Sequence, residues 1–198
     1  SIPRDTNEIV DYLTTVADIP NSVTAVILGS RLFDTIGEVV VFTIAGLGVK
    51  ILLSHEQSES QLVGIQDPVI IYLLDFVALL STFLAVELAI RGHISPGGGF
   101  AAGVAGATAV TLLMVTGRLK LIEEYYSRAN ATVLEKLAVI TFILLALMSF
   151  GSSIYPTSAY ALIPQKIYIP ALNIAAGLKV TIGAWSIIRL FINKRGIM

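Results

Sequence analysis

The chain has no cysteine, two histidines (His55 and His93), one tryptophan, and few charges for its length. Without cysteine there is no disulfide framework, thiolate metal site, cysteine-held iron–sulfur cluster or cysteine nucleophile. Two histidines leave almost no room for haem or zinc chemistry, and no metal ligands are expected. Only 14% of the 198 residues are Asp, Glu, Lys or Arg, where a soluble domain has about a quarter. The charges nearly cancel, with 13 basic against 14 acidic residues, so no basic face exists to attract nucleic acid. What the sequence does have is apolar: 55% hydrophobic residues and a mean hydropathy of +0.82. That composition excludes a soluble domain and indicates a polytopic membrane protein.

Backbone polar groups in lipid must be satisfied internally, and long apolar runs without alternation select helices over a barrel. A span needs roughly 20 apolar residues. Thr35–Leu53, Pro68–Ile90, Leu134–Ile154 and Pro170–Phe191 meet that requirement. Phe100–Leu119 is a fifth span, rich in Gly and Ala, that suits helix packing more than lipid. The expected fold is all-α with about five transmembrane helices. Residues 1–20 hold Asp5, Glu8, Asp11 and Asp18 against Arg4 alone, which is not the pattern of a signal peptide. Ile9, Leu13 and Val16 recur there at helical spacing, which predicts a short amphipathic helix at the interface, docked on a partner protein. Val23–Phe33 is apolar but too short to span, and reads as a half-helix. Of the basic residues near span ends, eight fall on the side of the C-terminus and four on the side of the N-terminus. The charge bias therefore predicts a cell-membrane protein with a cytoplasmic C-terminus.

An ionisable residue inside a span costs about 2.5–3.5 kcal/mol on insertion scales, so each one calls for a reason. Asp75 and Lys179 both lie well inside predicted spans. Opposite charges at such depth should seek each other or water, so the two are expected to approach or to share a wet cavity. A second group lies at the opposite surface. Glu87 and Arg91 are spaced i,i+4, His93 follows, and Arg31, Asp34 and Glu38 share one helix face. Histidine is the side chain suited to proton relay at physiological pH. Ordinary helix-end pairing is the competing explanation for these charges.

Arg91-Gly-His-Ile-Ser-Pro-Gly-Gly-Gly-Phe100 joins two spans. Pro96 fixes the approach, and Gly97, Gly98 and Gly99 permit positive φ and close backbone approach in a tight turn. The glycines match a relaxed dinucleotide fingerprint, but a long apolar helix precedes them instead of a strand, so that match is spurious. Gly99, Gly103 and Gly106 then line one side of the next helix, a pattern for close packing. Metalloprotease, serine-hydrolase and calcium-loop signatures are absent.

The string GHISPGGGFAAG at Gly92–Gly103 resembles the GHxxPGGGFxxG signature of the B subunit of Mrp-type sodium/proton antiporters, the MnhB family. The resemblance extends over about residues 66–195 and takes in Asp67-Pro68 and the Asn173–Lys179 run. Arg31-Leu-Phe-Asp-Thr-Ile-Gly-Glu38 is similar to another piece, the R-x-x-D-T-x-G-E segment at the C-terminal end of the antiporter's A subunit. The same segment occurs as a small subunit in archaeal membrane-bound hydrogenases. A transmembrane helix expected before that segment is replaced here by the acidic stretch. The resemblance implies three regions: an acidic interfacial segment at 1–20, an A-subunit-like segment with one transmembrane helix at 21–58, and a four-helix B-subunit-like domain at 66–198.

Fusion of the two pieces looks most like the membrane arm of an archaeal membrane-bound sulfur reductase or hydrogenase. The resemblance implies a non-catalytic subunit of a ferredoxin-driven complex that moves sodium or protons. Its partners would be other Mrp-like membrane subunits, lipid and a peripheral redox arm, with iron–sulfur clusters on those partners and no cofactor on this chain. Asp34, Glu38, Asp75, Glu87, Arg91, His93 and Lys179 would form the ion or proton pathway, with Pro96, Gly97, Gly98 and Gly99 as the signature loop. The alternative is a purely structural subunit that holds antiporter-like subunits and lipid in register.

Overall fold

The computed structural model describes residues 6–56, 65–154 and 164–195. Among them the structure is helical throughout, with eight α-helices. Five stretches are long and apolar enough to cross a membrane: Leu32–His55, Pro68–Arg91, Gly99–Arg128, Ala131–Gly151 and Lys166–Lys194. The expected all-α class and span number both hold. The other parts of the sequence expectation that concern residues 1–5, Arg4 and Asp5 included, lie outside the described residues.

Helix α1 (Thr6–Ala17) ends at Asp18, whose φ of 53° is a left-handed turn conformation that aspartate tolerates. Of the expected apolar stripe, Ile9 and Val16 stay exposed and Leu13 is half-buried. Ala17 and Ile19 join the chain's own core. Asn21 caps α2 (Ser22–Ala25) by accepting from the amides of Val23 and Thr24. A π-helical turn (Val26–Ser30) follows and breaks at Arg31, and α3 (Leu32–Leu52) starts afresh as the first span. The half-helix expected over 23–33 is this broken lead-in.

Helix α4 (Pro68–Arg91) begins with two standard devices. Asp67 accepts from the Val69 and Ile70 amides, and Pro68 occupies the first turn where no amide is needed. After the glycine loop, α5 (Gly99–Leu113) runs back and breaks at Thr116 and Gly117, the latter with φ +85°. Residues beyond the break, between the apolar runs 100–119 and 134–154, form α6 (Leu119–Arg128). Asn130, with φ 47°, turns the chain into α7 (Ala131–Ile154), and α8 (Gln165–Arg195) closes the fold. The hydropathy of α6 is too low to read as a span, yet its pattern is amphipathic. Leu119, Ile122 and Tyr126 bury one side of it, with Ile192 of α8 packed in the same cluster as the first two.

Helix α8 is the hub, touching α3, α4, α5 and α7. Its pairing with α5 rests on small residues. Gly99 faces the Asn173 carbonyl, Ala176 and Gly177, and Gly103 faces Val180, positions at which an added Cβ would overlap the neighbour. Gly106 lies against Thr181, whose hydroxyl donates to the Gly103 carbonyl at 3.3 Å. The stripe expected to be a packing face is one. On its far side α8 runs antiparallel to α6 and α7 in succession. Glu123 meets Asn193, Tyr126 meets Trp185, Glu135 meets Lys179, and Ser149 meets Tyr168. One 31-residue helix is thus matched along its length by two shorter ones.

Candidate functional site

Two cavities and four ion pairs hold most of the residues singled out by sequence. The first cavity, about 380 Å³, sits where the start of α3 meets the glycine loop and α8. The break at Arg31 (φ −110°, ψ 24°) opens a new helix start and puts Asp34 in its first turn, where a carboxylate is favoured by the helix dipole. Arg31 donates to Asp34 at 2.7 Å through Nε. Glu38 lies one turn further in, exposed on a helix that spans the membrane, with no hydrogen bond or ion pair among the described residues.

Across from these carboxylates stand Gly97, Gly98 and Gly99. Gly97 has φ +150°, and a Cβ there would strike the Leu88 side chain, so this turn requires glycine. Asn173 forms the floor. It is fully buried, and its Nδ2 donates to the carbonyls of Leu88 (3.1 Å) and Ala89 (2.8 Å) in the last turns of α4. Its Oδ1 has no partner among the described residues. The loop is also clamped from the N-terminal side. Asn21 Nδ2 donates to the carbonyls of Gly92 (2.8 Å) and Ser95 (2.6 Å), and the Thr24 hydroxyl donates to Gly92 (2.6 Å).

Glu87, Arg91 and His93 do not line this cavity. Glu87 and Arg91 pair at 2.9 Å on an exposed face of α4. His93 accepts the Asn21 amide through its carbonyl, and its enclosed Nδ1 has no partner among the described residues. The structure therefore joins Asp34 and Glu38 to the signature loop and leaves the Glu87–Arg91 pair beside it.

The expectation that Asp75 and Lys179 approach is overturned, because each has another partner. Lys179, almost fully buried, holds Glu135 of α7 at 2.5 Å and lies 5.0 Å over the Phe42 ring. Asp75 is held by Arg118 at 2.5 Å and by the Thr116 hydroxyl at 3.4 Å, at the break that ends α5. The reason is depth. Gly103 marks the level of Val180 on α5, and Thr116 marks that of Asp75, so about 20 Å of helix rise divides the two charges.

The second cavity, about 420 Å³, reaches Lys179 and Glu135 from the groove between α3, α7 and α8, and Asp75 is not on its wall. Lys50, Lys136 and Arg189 also line it. Glu135, Asn173, Asn21 and Arg118 were not singled out from sequence. Glu135 could have been, as an acid four residues into α7; the asparagines carry no charge to flag them.

The first cavity offers two carboxylates, one of them paired with Arg31, and glycine backbone, an oxygen-rich lining of the kind hard cations prefer. Among the described residues no three His, Asp or Glu side chains gather as a metal-holding group. The second cavity offers one buried ion pair beside three cations that have no acidic partner among the described residues.

Three comparisons bear on this arrangement. The family described as a domain related to the MnhB subunit of Na+/H+ antiporter matches residues 69–186. An uncharacterized protein of Methanocaldococcus jannaschii is 30% identical over 203 positions, covering 83% of this chain and 74% of that protein. A chain in the structure of the membrane-bound sulfane sulfur reductase, an archaeal respiratory membrane complex, superposes with a TM-score of 0.70. That match covers 98% of this chain and 87% of the other at 21% identity, a likeness of fold.

Proposed function

This chain belongs to the family of domains related to the MnhB subunit of Na+/H+ antiporters, and we propose that it is a non-catalytic membrane subunit of an Mrp-like cation-translocating module. In this reading the module belongs to a ferredoxin-driven respiratory complex of the sulfur reductase or hydrogenase type. Other Mrp-like membrane subunits flank the chain, and a peripheral redox arm carries the iron–sulfur clusters.

The observation that supports it most is the first cavity. Three separate segments bring Asp34, Glu38, the glycine loop and Asn173 to one lining. Glu38 has no cation of its own among the described residues, and a carboxylate on a span is retained at a cost. Sodium would rest near Asp34 and Glu38, where oxygen ligands abound. Lys179 repels sodium, so with Glu135 it serves a proton relay or a charge switch.

The test is redox-driven ion uptake by vesicles containing the assembled complex. Glu38→Gln removes the charge and keeps the shape. Sodium and proton movement should fall sharply while the complex still assembles and oxidises reduced ferredoxin. Unchanged movement of both ions overturns the proposal.

A second reading is supported by the pairing of Lys179 with Glu135, Asp75 with Arg118, Glu87 with Arg91 and Asp34 with Arg31. A subunit with charges so satisfied could serve only to hold its neighbours and lipid in register. Under that reading Glu38→Gln changes assembly or nothing.

A further inference from the structure

The second cavity holds a charge imbalance that the proposed ion path does not use. Of its lining side chains only Glu135 is acidic, and Lys179 takes that carboxylate. Lys50, Lys136 and Arg189 are left with no acidic partner among the described residues. Arg189 stacks over the Tyr126 ring at 4.3 Å, and its Nε is enclosed with no acceptor. Three cations sharing one recess beside lipid repel each other and call for an anion.

The recess also has the shape and chemistry of a bilayer boundary. Lys50 lies in the last turn of α3, and Arg189 lies near the end of α8. Above them the wall is apolar, and Leu47 and Ile140 on it are half-exposed on the outside of spanning helices. A small soluble anion would leave that wall bare; a phospholipid would cover it with an acyl chain.

We propose that this groove between α3, α7 and α8 binds an anionic phospholipid, its phosphate held by Lys50, Lys136 and Arg189. The acyl chain lies along Leu47 and Ile140 toward Phe42. Occupancy closes the lateral opening below Lys179, so the pair with Glu135 is shielded from that side.

Trp185, the single tryptophan of the chain, reports on the site because it packs edge-on against Tyr126, the ring under Arg189, with centroids 4.8 Å apart. The full chain is reconstituted in phosphatidylcholine vesicles that contain either phosphatidylglycerol or phosphatidylcholine brominated on the acyl chain. Brominated phosphatidylglycerol should quench Trp185 at a lower mole fraction, with a preference of about fivefold per participating cation. Lys50→Gln with Arg189→Gln should remove most of that preference, and Lys136→Gln, which leaves the interior untouched, should weaken it about fivefold. Equal quenching by the two lipids overturns the proposal, as does an unaltered preference in Lys136→Gln. Loss of the preference on adding inorganic phosphate would make the occupant a free anion and overturn the lipid assignment. Loss of ion movement in Glu38→Gln bears on neither result, so the two proposals fail separately.

Discussion

Helices α4 and α8 are both apolar spans, and they are used in opposite ways. In its most apolar window α4 has 6% of its residues buried within the chain; α8 has 50%. Helix α4 presents Tyr72, Phe76, Leu80 and Phe83 outward, and Ala78 is its one buried residue. Helix α8 buries Asn173 and Lys179 among alanine, glycine and leucine. The charges follow the same division. Lys179 on α8 is enclosed and paired with Glu135 of α7, whereas Glu87 and Arg91 pair with each other on the outward face of α4. Hydropathy measures what a helix can dissolve in, and not what it touches.

The strongest way to break this contrast is at Lys179. Lys179→Met strands Glu135 in the interior and should destabilise the protein by about 3–5 kcal/mol, seen as a lower midpoint in thermal unfolding in detergent. Adding Glu135→Gln to that variant should recover much of the loss, whereas adding Asp75→Asn should recover none. Recovery through Asp75 would show that the pairing assigned here is wrong.

Gly103→Val comes next. Its side chain would be forced into Val180 and push α5 from α8, at a cost of about 1–3 kcal/mol by the same measurement. An equally bulky change at Gly48 of α3, which has open space beside it, should cost far less. Asn173→Ala removes two buried hydrogen bonds to the end of α4 and should cost about 1–3 kcal/mol. Amide exchange at Ile90–Gly92 should quicken with it. The smallest effect is expected for Arg91→Ala, since an exposed pair contributes about 0.2–1 kcal/mol. A loss as large as that at Lys179 would mean that α4 is not the outward helix described here.

Much of this was legible in sequence. The five apolar runs showed the spans, because length against bilayer thickness is a one-dimensional test. Gly99, Gly103 and Gly106 showed the packing face, because four- and three-residue steps hold one side of any helix. Pairings were not legible. Which cation meets Asp75 depends on the rotation and depth of separate helices, and those were misjudged where helix limits were misjudged. Lys179 was counted from Pro170, whereas α8 begins at Gln165 and carries Pro170 inside it. Arg118 falls near the end of the apolar run 100–119, and nothing in that run shows that it stands at a helix break facing Asp75. Asn21 and Asn173 tie three segments together through backbone carbonyls, and no periodicity announces a bond of that kind.

The position of the hub in the chain has a consequence for biosynthesis. Helix α8 is the last of the five spans to leave the ribosome, yet α3 and α7 pack mainly on it, and α5 packs on it as well as on α4. Until it arrives, the glycine face of α5 borders lipid, Glu135 has no cation and Glu123 has no amide donor. Helices α4 and α5 can pair with each other before it arrives, whereas α3 and α7 must wait for their main partner. The fold is completed in a late step, when one helix supplies the missing wall to α3, α5 and α7 at once.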